Sequence, residues 1–368
     1  MKKFLLLTVT ITMAIGFQSF AQYNHENLKI KRSAESSDQT DPTSSGSEQF
    51  DMSYSFKNLR LYPIIANNQF VEEHKGIGNF TLLKDAIDQN KIVITETGAT
   101  YLANDGQREN TNESDAIQSP NLSNQQIYNQ GSFGGGVSGS VNTLFAQNNS
   151  QDTIFIMAGE VVKGGKQDRV ISQDMVIAPG EKVNLSAFCV ERSRWETTDG
   201  NGGKFTGYYN VTNMDIRKTV ATDNNQSEVW RKVGEQTEKN GASSETGTYA
   251  NLENSEEYQK KLAEYMAVFK TSFQDDPQVI GVIAVTGDKV MGCDLFATHD
   301  LFIQSYESLL HSYIGEAVTN GKEVTLGNEE VFKYLDEILK DESSQEETVN
   351  ENGVVYKYKN KKLHLSKF

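Results

Sequence analysis

The fold is decided by residues 153–195, which read TIFIMAGEVVKGGKQDRVISQDMVIAPGEKVNLSAFCVERSRW. Three short β-branched or apolar runs lie in this stretch, at 153–158, 175–177 and 183–190, with polar segments and glycine or proline turns between them. Spacing of this kind is typical of a β-rich layer. The APGEK segment at 178–182 has the residues of a turn between two of these strands. A β-rich first half is therefore predicted.

The segments on either side extend the prediction. Residues 59–65 and 91–97 have the pattern of strands, and 80–90 has the apolar face of a helix. In the second half, apolar residues recur at three- and four-residue steps, which predicts amphipathic helices. The elements predicted there are a helix capped by Asn224 or Asn225, a helix over 258–273, a strand at 279–285, helices at 301–318 and 329–339, and a terminal hairpin that turns near Asn360. The predicted fold class is α+β, with a β-rich first half and amphipathic helices concentrated in the second half.

The first residues have the pattern of a secretory signal peptide. Lys2 and Lys3 precede a largely apolar run, and small residues at the cleavage position end at Ala21. We predict cleavage after Ala21 and a periplasmic or secreted location. Residues 22–50 have few large apolar side chains and are predicted to be a flexible polar tether. The predicted organisation continues with a main α+β domain at 51–320, a polar glycine-rich insertion within it near 104–140, and a C-terminal extension at 321–368 made of a helix and a charged β-hairpin.

Charge and cysteine count restrict the classes of partner. The 368 residues carry a formal net charge of −15, so the surface as a whole does not attract nucleic acid or anionic lipid. No apolar run after the leader is long enough to span a membrane. Three roles are open for Cys189: a buried packing residue, a disulfide partner of Cys293, or a nucleophile that His299 or His311 approaches in the fold.

Motifs for cofactors and metals are absent or lie in the wrong context. Gly134, Gly136 and Gly139 match G-x-G-x-x-G, but the residues after them alternate like a strand, whereas a phosphate-binding loop precedes a helix. The histidines show no metal-binding spacing, and the sequence has no nucleophile elbow and no Walker loop. We predict neither a cofactor nor a metal site.

Charged and aromatic residues concentrate between 157 and 195. A guanidinium fork suits a carboxylate or phosphate, and a tryptophan offers a flat wall to a ring or sugar. If 190–195 is extended, Glu191 and Trp195 point to one face and Arg194 to the other. Two carboxylates also suit acid/base hydrolysis. The predicted catalytic residues are Glu160 and Glu191, and the predicted ligand-binding residues are Gln167, Arg169, Arg194 and Trp195.

The same stretch of sequence also resembles a known protein family. The blocks AGEVVKGGKQDRV, CVERSRW, SEVW (227–230) and GDKVMGCDLF with LLHSYIGEA (287–317) resemble the ARG and rhodanese-phosphatase-superfamily-associated protein domain, a bacterial family of unknown function. The resemblance covers residues 59–318. Its family name implies a link to ADP-ribose or related nucleotides through association with ADP-ribosylglycohydrolase and phosphatase-like domains. The positions that match the family signature are Gly159, Glu160, Gln167, Arg169, Cys189, Glu191, Arg194 and Trp195.

Two functions follow from this pattern. In the first, an exported protein binds a small anionic, sugar-containing or nucleotide-like ligand through the Arg/Glu/Gln/Trp signature and hydrolyses it with Glu160 or Glu191. In the second, the protein is a non-catalytic interaction module with a protein partner. The signature is then a structural network in which Glu160 or Glu191 pairs with Arg169 or Arg194, and Trp195 closes it from water.

Overall fold

A computed structural model describes residues 22–32, 54–97, 100–102, 108–110, 142–196, 203–340 and 352–368. The predicted signal peptide and the glycine-rich part of the insertion lie outside the described residues. The strands are β1 (Leu28–Ile30), β2 (Ser55–Phe56), β3 (Leu59–Ala66), β4 (Thr81–Leu82), β5 (Ile92–Glu96), β6 (Thr100–Leu102), β7 (Arg108–Asn110), β8 (Thr143–Asn148), β9 (Ile154–Ile156), β10 (Glu160–Gly164), β11 (Arg169–Ile171), β12 (Met175–Ile177), β13 (Lys182–Cys189), β14 (Lys204–Val211), β15 (Val279–Thr286), β16 (Lys289–Phe296), β17 (Gly353–Tyr358) and β18 (Lys361–Lys367).

The helices lie mostly in the second half, and the predicted α+β class is confirmed. They are α1 (Asn68–His74), α2 (Leu83–Asp88), α3 (Met214–Lys218), α4 (Gln226–Lys239), α5 (Glu256–Phe269), α6 (His299–Asn320) and α7 (Asn328–Leu339), with a π-helical turn at Thr219–Asp223 and a 3₁₀ helix at Tyr249–Asn254. The predicted cap of α4 is confirmed, because the Asn225 side chain accepts hydrogen bonds from the amides of Ser227 and Glu228. No helix among the described residues is long and apolar enough to cross a membrane.

An antiparallel sheet forms one half of the molecule. Its strands follow the order β1-β3-β15-β16-β18-β17, and β2 pairs with β3. The central strand β15 is buried along its whole length. Its side chains pack on two sides: Val282 lies in a core with α4, α5 and α6, and Ile283 lies in a core with α1 and α7. Helices therefore cover both faces of this sheet, which explains why β15 is apolar throughout.

A closed six-stranded barrel forms the other half. Its strands follow the order β10-β11-β13-β8-β5-β14, and β14 pairs with β10 to close the ring. All six pairings are antiparallel. The interior is filled by side chains such as Ile94, Leu144, Val162 and Phe205. A barrel of this size is packed solid and has no central channel. The small sheet β12-β9-β4 packs beside it.

The two predicted terminal extensions belong to the fold. Residues 22–32, assigned to the tether, contain β1, which pairs with β3 and buries Leu28 and Ile30. The C-terminal hairpin is not an appendage, because β18 pairs with β16 in the main sheet. The predicted turn at Asn360 is confirmed, since Lys359 and Asn360 both have positive φ, as a two-residue hairpin turn requires.

Candidate functional site

Four of the signature residues lie together at one mouth of the barrel. Neighbouring strands are antiparallel, so the ends of β5, β10 and β13 meet the beginnings of β11 and β14 at the same rim. Gln167 and Arg169 lie at the start of β11, and Glu191 and Arg194 follow the end of β13. The structure therefore brings these four predicted residues together.

Arg194 is the centre of this cluster. Its Nε lies 2.9 Å and 3.0 Å from the two carboxylate oxygens of Glu191, and its Nη2 lies 2.6 Å from Glu191 Oε2 and 3.2 Å from Asp168 Oδ1. Its Nη1 donates to the carbonyl of Gly165 at 2.8 Å, and Nη2 also lies 3.2 Å from the carbonyl of Gly164. Both carboxylates are buried, and the guanidinium is partly buried. Each nitrogen of the guanidinium is thus occupied by an acceptor of the chain itself.

The carboxylates of Glu191 and Asp168 also accept hydrogen bonds from other donors. Glu191 Oε2 accepts a hydrogen bond from the amide of Asp168 at 3.0 Å. Asp168 accepts from the amide of Gly164 at 3.0 Å and from the Thr248 hydroxyl at 2.6 Å. Burial raises the pKa of Asp168. These contacts fix the β10–β11 loop to the segment after β13.

A second ion pair lies across the barrel mouth. Arg169 Nη2 is 3.1 Å from Glu96 Oε1, and its Nη1 donates to the carbonyl of Gln167 at 2.9 Å. Glu96 ends β5 and Arg169 begins β11, which are three strands apart in either direction around the six-stranded ring. The pair therefore joins opposite sides of the mouth. Two buried atoms here, Arg169 Nε and Gln167 Oε1, make no hydrogen bond with the described residues, which lowers the net stabilisation.

We call the set Glu96, Gln167, Asp168, Arg169, Glu191 and Arg194 the barrel cap. It covers the interior core at this end with paired charges. Sequence reasoning did not find Glu96, because the residue stands 73 positions from Arg169 and only the closure of the barrel brings the two together. Thr248, 80 positions from Asp168, was missed for the same reason.

Trp195 lies outside the barrel cap. The residue is 54% exposed, and the neighbouring Arg192 and Ser193 are exposed as well. The assumption that 190–195 is extended was wrong, because β13 ends at Cys189 and the chain bends at Arg192 and Ser193, whose amides both donate to the carbonyl of Thr246. The bend turns Arg194 back onto Glu191 and leaves the indole on the surface. Trp195 does not close the network from water.

Glu160 lies at the opposite end of β10, away from the cap. The amide of Met157 donates to its Oε2 at 2.7 Å, and the Tyr208 hydroxyl oxygen lies 2.9 Å from its Oε1. Burial raises the pKa of Glu160 to about 8. Its carboxyl group is protonated at neutral pH. Glu160 and Glu191 contact different residues, so the geometry gives no support to an acid/base pair made of these two.

Replacing Glu160 with glutamine is expected to remove a pH-dependent loss of stability. A buried carboxyl with a pKa of about 8 stabilises the fold fully below its unfolded value near 4.5, and this contribution is lost as pH rises through 8. Between these two pKa values, the free energy of unfolding of the variant relative to the wild type should therefore rise by up to about 1.4 kcal/mol per pH unit. Urea unfolding between pH 5 and pH 9 measures it.

The exposed Glu238→Gln serves as the matched control for Glu160→Gln. Its stability should run parallel to the wild type over the whole pH range. If the two curves of Glu160→Gln and wild type are also parallel, the carboxyl is charged in the folded protein and the assignment of a protonated Glu160 is wrong.

The cysteines are two free, buried thiols, and the disulfide alternative is wrong. Cys189 ends a barrel strand, whereas Cys293 lies in the main sheet among residues of the α1–α7 core. Burial raises the pKa of both thiols, which disfavours the thiolate that a nucleophile requires. The backbone of Cys189 is held by the side-chain amide of Gln226, at 2.8 Å in both directions. The contacts around Cys189 are those of a packing residue.

Gly165 is a position beside the cap that tolerates no side chain. Its φ is +54°, and a Cβ would lie 2.5 Å from Phe205 Cζ and 2.9 Å from Glu96 Oε1. Gly165→Ala is expected to lower the free energy of unfolding by about 2–4 kcal/mol, since left-handed strain and overlap add. Gly180→Ala is the control, because Gly180 has φ +73° with no atom within 4 Å, so strain alone should cost about 1–2 kcal/mol. Equal losses in the two variants would show that the residues around Gly165 move to accommodate the added methyl group without further cost.

A second buried network, not found from the sequence, joins the main sheet to Asp174, which lies between β11 and β12. His364 Nδ1 lies 2.6 Å from Asp174 Oδ2, and His364 Nε2 lies 3.2 Å from Asp294 Oδ1. Arg217 donates to both oxygens of Asp294, at 2.7 Å and 3.1 Å, and the Tyr313 hydroxyl donates to Asp294 Oδ2 at 2.5 Å. Burial alone would lower the pKa of His364, but the two carboxylates outweigh it and raise the pKa to about 9.

This network has the components of a Ser-His-Asp triad without an accessible nucleophile. Ser366 Oγ is 3.3 Å from His364 Nε2, but the hydroxyl also donates to Asp294, and both side chains are buried. The imidazole is charged and cannot act as a base at neutral pH. Among the described residues, no group of histidine, cysteine or acidic side chains is arranged to hold a metal ion.

The fold and site define an α+β protein in which a closed barrel, capped by paired charges, is joined to a helix-covered sheet. A family model described as the ARG and Rhodanese-Phosphatase-superfamily-associated Protein domain matches residues 47–368. The chain belongs to this family, as the sequence blocks predicted. The match includes α7 and the terminal hairpin, beyond residue 318 where the resemblance was placed. No curated protein and no solved structure matches the chain.

Proposed function

We propose that this protein is a non-catalytic interaction module that presents a rigid surface loop to a protein partner. The loop is the segment 191–196, and its contact residues are Trp195 with Arg192 and Ser193. Exposed tryptophan and arginine are the residue types that dominate binding energy at protein interfaces. The barrel cap holds this loop in place, which reduces the entropy lost when a partner binds.

The main support for the proposal is that the guanidinium of Arg194 is already hydrogen-bonded within the chain. An open anion site needs guanidinium nitrogens that a ligand can reach, and here each of them has an acceptor within the chain. A ligand would have to displace Glu191 or Asp168 from a buried ion pair, which is costly. The alternative, a small anionic or nucleotide-like ligand held by Gln167, Arg169, Arg194 and Trp195, therefore has less support.

We also propose that the module works outside the cytoplasm. The basis is the leader pattern of residues 1–21, with Lys2 and Lys3 before an apolar run and a cleavage position at Ala21. The partner would then be a protein of the periplasm or of the cell exterior. Detection of the mature amino terminus at Gln22 by mass spectrometry tests this step.

Photo-crosslinking from position 195 tests the proposed surface. Trp195 is replaced by a photoreactive phenylalanine analogue in the host cell, and the same analogue at Val71 is the control, since Val71 is also a large exposed apolar residue. We expect one discrete protein adduct from position 195 and none from position 71. Excess wild-type protein should suppress the adduct, whereas excess Trp195→Ser protein should not.

A ligand screen tests the alternative in parallel. The melting temperature of the purified protein is measured with ADP-ribose, nucleotides, sugar phosphates and cell-wall fragments. A ligand that binds only the folded state must raise the melting temperature. A dose-dependent rise, together with the absence of an adduct from position 195, would overturn the interaction module in favour of ligand binding.

A further inference from the structure

The barrel mouth opposite the cap contains the carboxyl group of Glu160. Glu160 begins β10 and is buried, and Tyr208, which packs against the barrel interior, comes from the neighbouring strand β14. Helix α6 lies beside β14, and its Ser308 contacts the Tyr208 hydroxyl. A carboxyl, a phenol and an alcohol from three different elements therefore meet at this mouth.

These three side chains form one continuous chain of hydrogen bonds. Glu160 Oε1 lies 2.9 Å from the Tyr208 hydroxyl oxygen, which lies 3.2 Å from Ser308 Oγ. The other carboxyl oxygen of Glu160 accepts from the amide of Met157, a donor that cannot reverse. Both hydroxyl groups can donate or accept. The neutral carboxyl therefore donates outward along the chain, and the ionised carboxylate accepts once both hydroxyl groups have reversed.

The outer end of the chain lies near the surface. Glu160 is 4% exposed, whereas Tyr208 and Ser308 are half-buried, and Glu307 beside Ser308 is exposed. A proton thus passes between Ser308 and Glu160 by successive reversal of two hydroxyl groups, while the strands stay folded. A buried acid without such a chain would exchange its proton only when the structure around it opens.

The charge state of Glu160 affects the turn between β9 and β10. Glu160 accepts from the amide of Met157, and Asp174 accepts from the next amide, that of Ala158, at 2.8 Å. Two carboxylates therefore hold adjacent amides of one turn. Burial, and to a smaller extent the charge of Asp174, raise the pKa of Glu160. A charge on Glu160 places two like charges on either side of the turn.

The cation nearest to this turn is already paired. Arg217 of α3 packs against Gly159, since a Cβ on that glycine would lie 2.7 Å from Arg217 Cγ. Its guanidinium donates to both oxygens of Asp294. Among the described residues, no cation forms an ion pair with Glu160, whose oxygens contact Met157 and Tyr208. A negative charge on Glu160 is therefore not neutralised in the closed turn.

The titratable groups of the two covering helices do not replace Glu160 as the acid. Burial, the charge of Glu160 and the more distant Asp85 of α2 raise the pKa of Tyr208, so the phenol stays neutral and only passes protons on. On α6, burial lowers the pKa of His311 to about 4, so this imidazole is neutral at physiological pH.

We propose that Glu160, Tyr208 and Ser308 form a proton path that makes the turn at 157–160 a pH-sensitive element of the fold. Loss of the Glu160 proton favours an open turn in which the carboxylate is hydrated. In the open turn the carboxyl has its ordinary pKa near 4.5, and in the closed turn its pKa is about 8. The open form therefore gains population between these pH values and levels off above pH 8. This element is separate from the Trp195 loop and does not depend on the proposed interaction.

Infrared spectroscopy of the full chain tests the proton path. The carbonyl stretch of protonated carboxyl groups is followed in a titration from pH 5 to pH 10 and after a rapid pH jump. We expect a band that Glu160→Gln removes. Tyr208→Phe should move the midpoint of its loss to higher pH, because the hydrogen bond from Tyr208 partly offsets the effect of burial on the pKa of Glu160. The same variant should slow the decay of the band after the jump at least tenfold.

Tyr209→Phe is the matched control. Tyr209 follows Tyr208 on β14, so its side chain points to the opposite face, where its ring contacts Tyr249. This variant removes a hydroxyl from the same strand and should change neither the midpoint nor the decay. Equal decay in Tyr208→Phe and wild type, or a titration in which Glu160→Gln removes no band, overturns the proposal.

Hydrogen exchange separates opening of the turn from unfolding of the whole chain. Exchange of residues 154–162 is compared with that of the fully buried β15, after correction for the chemical exchange rate at each pH. In the wild type, opening of the turn should increase by up to about tenfold per pH unit between pH 5 and pH 8. In Glu160→Gln it should not depend on pH. If the turn and β15 exchange at the same rate, the turn opens only by global unfolding and the proposal is wrong.

Discussion

Arg217→Met is expected to lower the free energy of unfolding by about 3–5 kcal/mol. Arg217 and Asp294 are both fully buried, and the pair is joined by two hydrogen bonds. Burial would raise the pKa of Asp294, but Arg217 and His364 hold it well below its usual range. Asp294 is therefore charged inside the molecule, and its charge must be balanced there.

The balance of charges decides the size of the effect. His364 and Arg217 supply two positive charges, and Asp174 and Asp294 supply two negative ones. Methionine is uncharged and shorter, so the variant keeps the contacts of the arginine stem but leaves one buried negative charge in excess. A buried charge without compensation costs several kcal/mol. The network also joins the main sheet to Asp174, directly before β12 of the small sheet, so its loss should weaken this contact as well.

An exposed arginine provides the matched control for this prediction. Arg231 also pairs with two carboxylates, Glu228 and Glu235, but its side chain is 51% exposed. Arg231→Met should cost much less than Arg217→Met, because surface ion pairs are screened by water. Urea unfolding at pH 7, followed by tryptophan fluorescence, measures both variants. Similar losses for Arg217→Met and Arg231→Met would mean that the buried network does not stabilise the fold.

The sequence predicted the elements with strong periodicity and missed those whose identity depends on distant partners. The strand at 279–285 and the helix at 301–318 were recognised because their apolar residues recur at regular steps. β1 was assigned to a tether because three residues within a polar segment carry no periodic signal. Its pairing with β3 supplies the missing stabilisation, since Leu28 and Ile30 are buried only in that context.

The candidate site was likewise predicted only in part from the sequence. The residue types of the signature were identified from the sequence, and four of them lie together in the barrel cap. Their arrangement was not predictable, because it depends on the bend after Cys189 and on Glu96, which the closed barrel places opposite Arg169. One signal for the second network was present and unused. Asp294 and His364 are charged or titratable residues flanked by apolar ones in strand-like segments, a pattern that indicates buried, paired groups.

Arg194→Met is the second large prediction, with an expected loss of about 3–5 kcal/mol in the free energy of unfolding. The substitution removes the cation shared by two buried carboxylates, Glu191 and Asp168, and removes the donors to the carbonyls of Gly164 and Gly165. The two carboxylates remain close, because the amide of Asp168 donates to Glu191. Like charges in a buried site repel strongly, so the loop after β13 should separate from the β10–β11 loop.

Two comparisons distinguish this outcome from a ligand-binding role for Arg194. Arg192→Met changes an exposed arginine two residues away and should cost within about 0.5 kcal/mol. A double-mutant cycle with Glu191→Gln should give a coupling energy of about 1–3 kcal/mol, since the side chains are in direct contact. The difference between Arg194→Met and wild type should shrink as the pH falls, because burial raises the pKa of Asp168 and its protonation relieves the repulsion. A residue reserved for an external anion would behave in the opposite way: its removal would leave stability unchanged or raise it, because the wild-type site would hold an unbalanced positive charge.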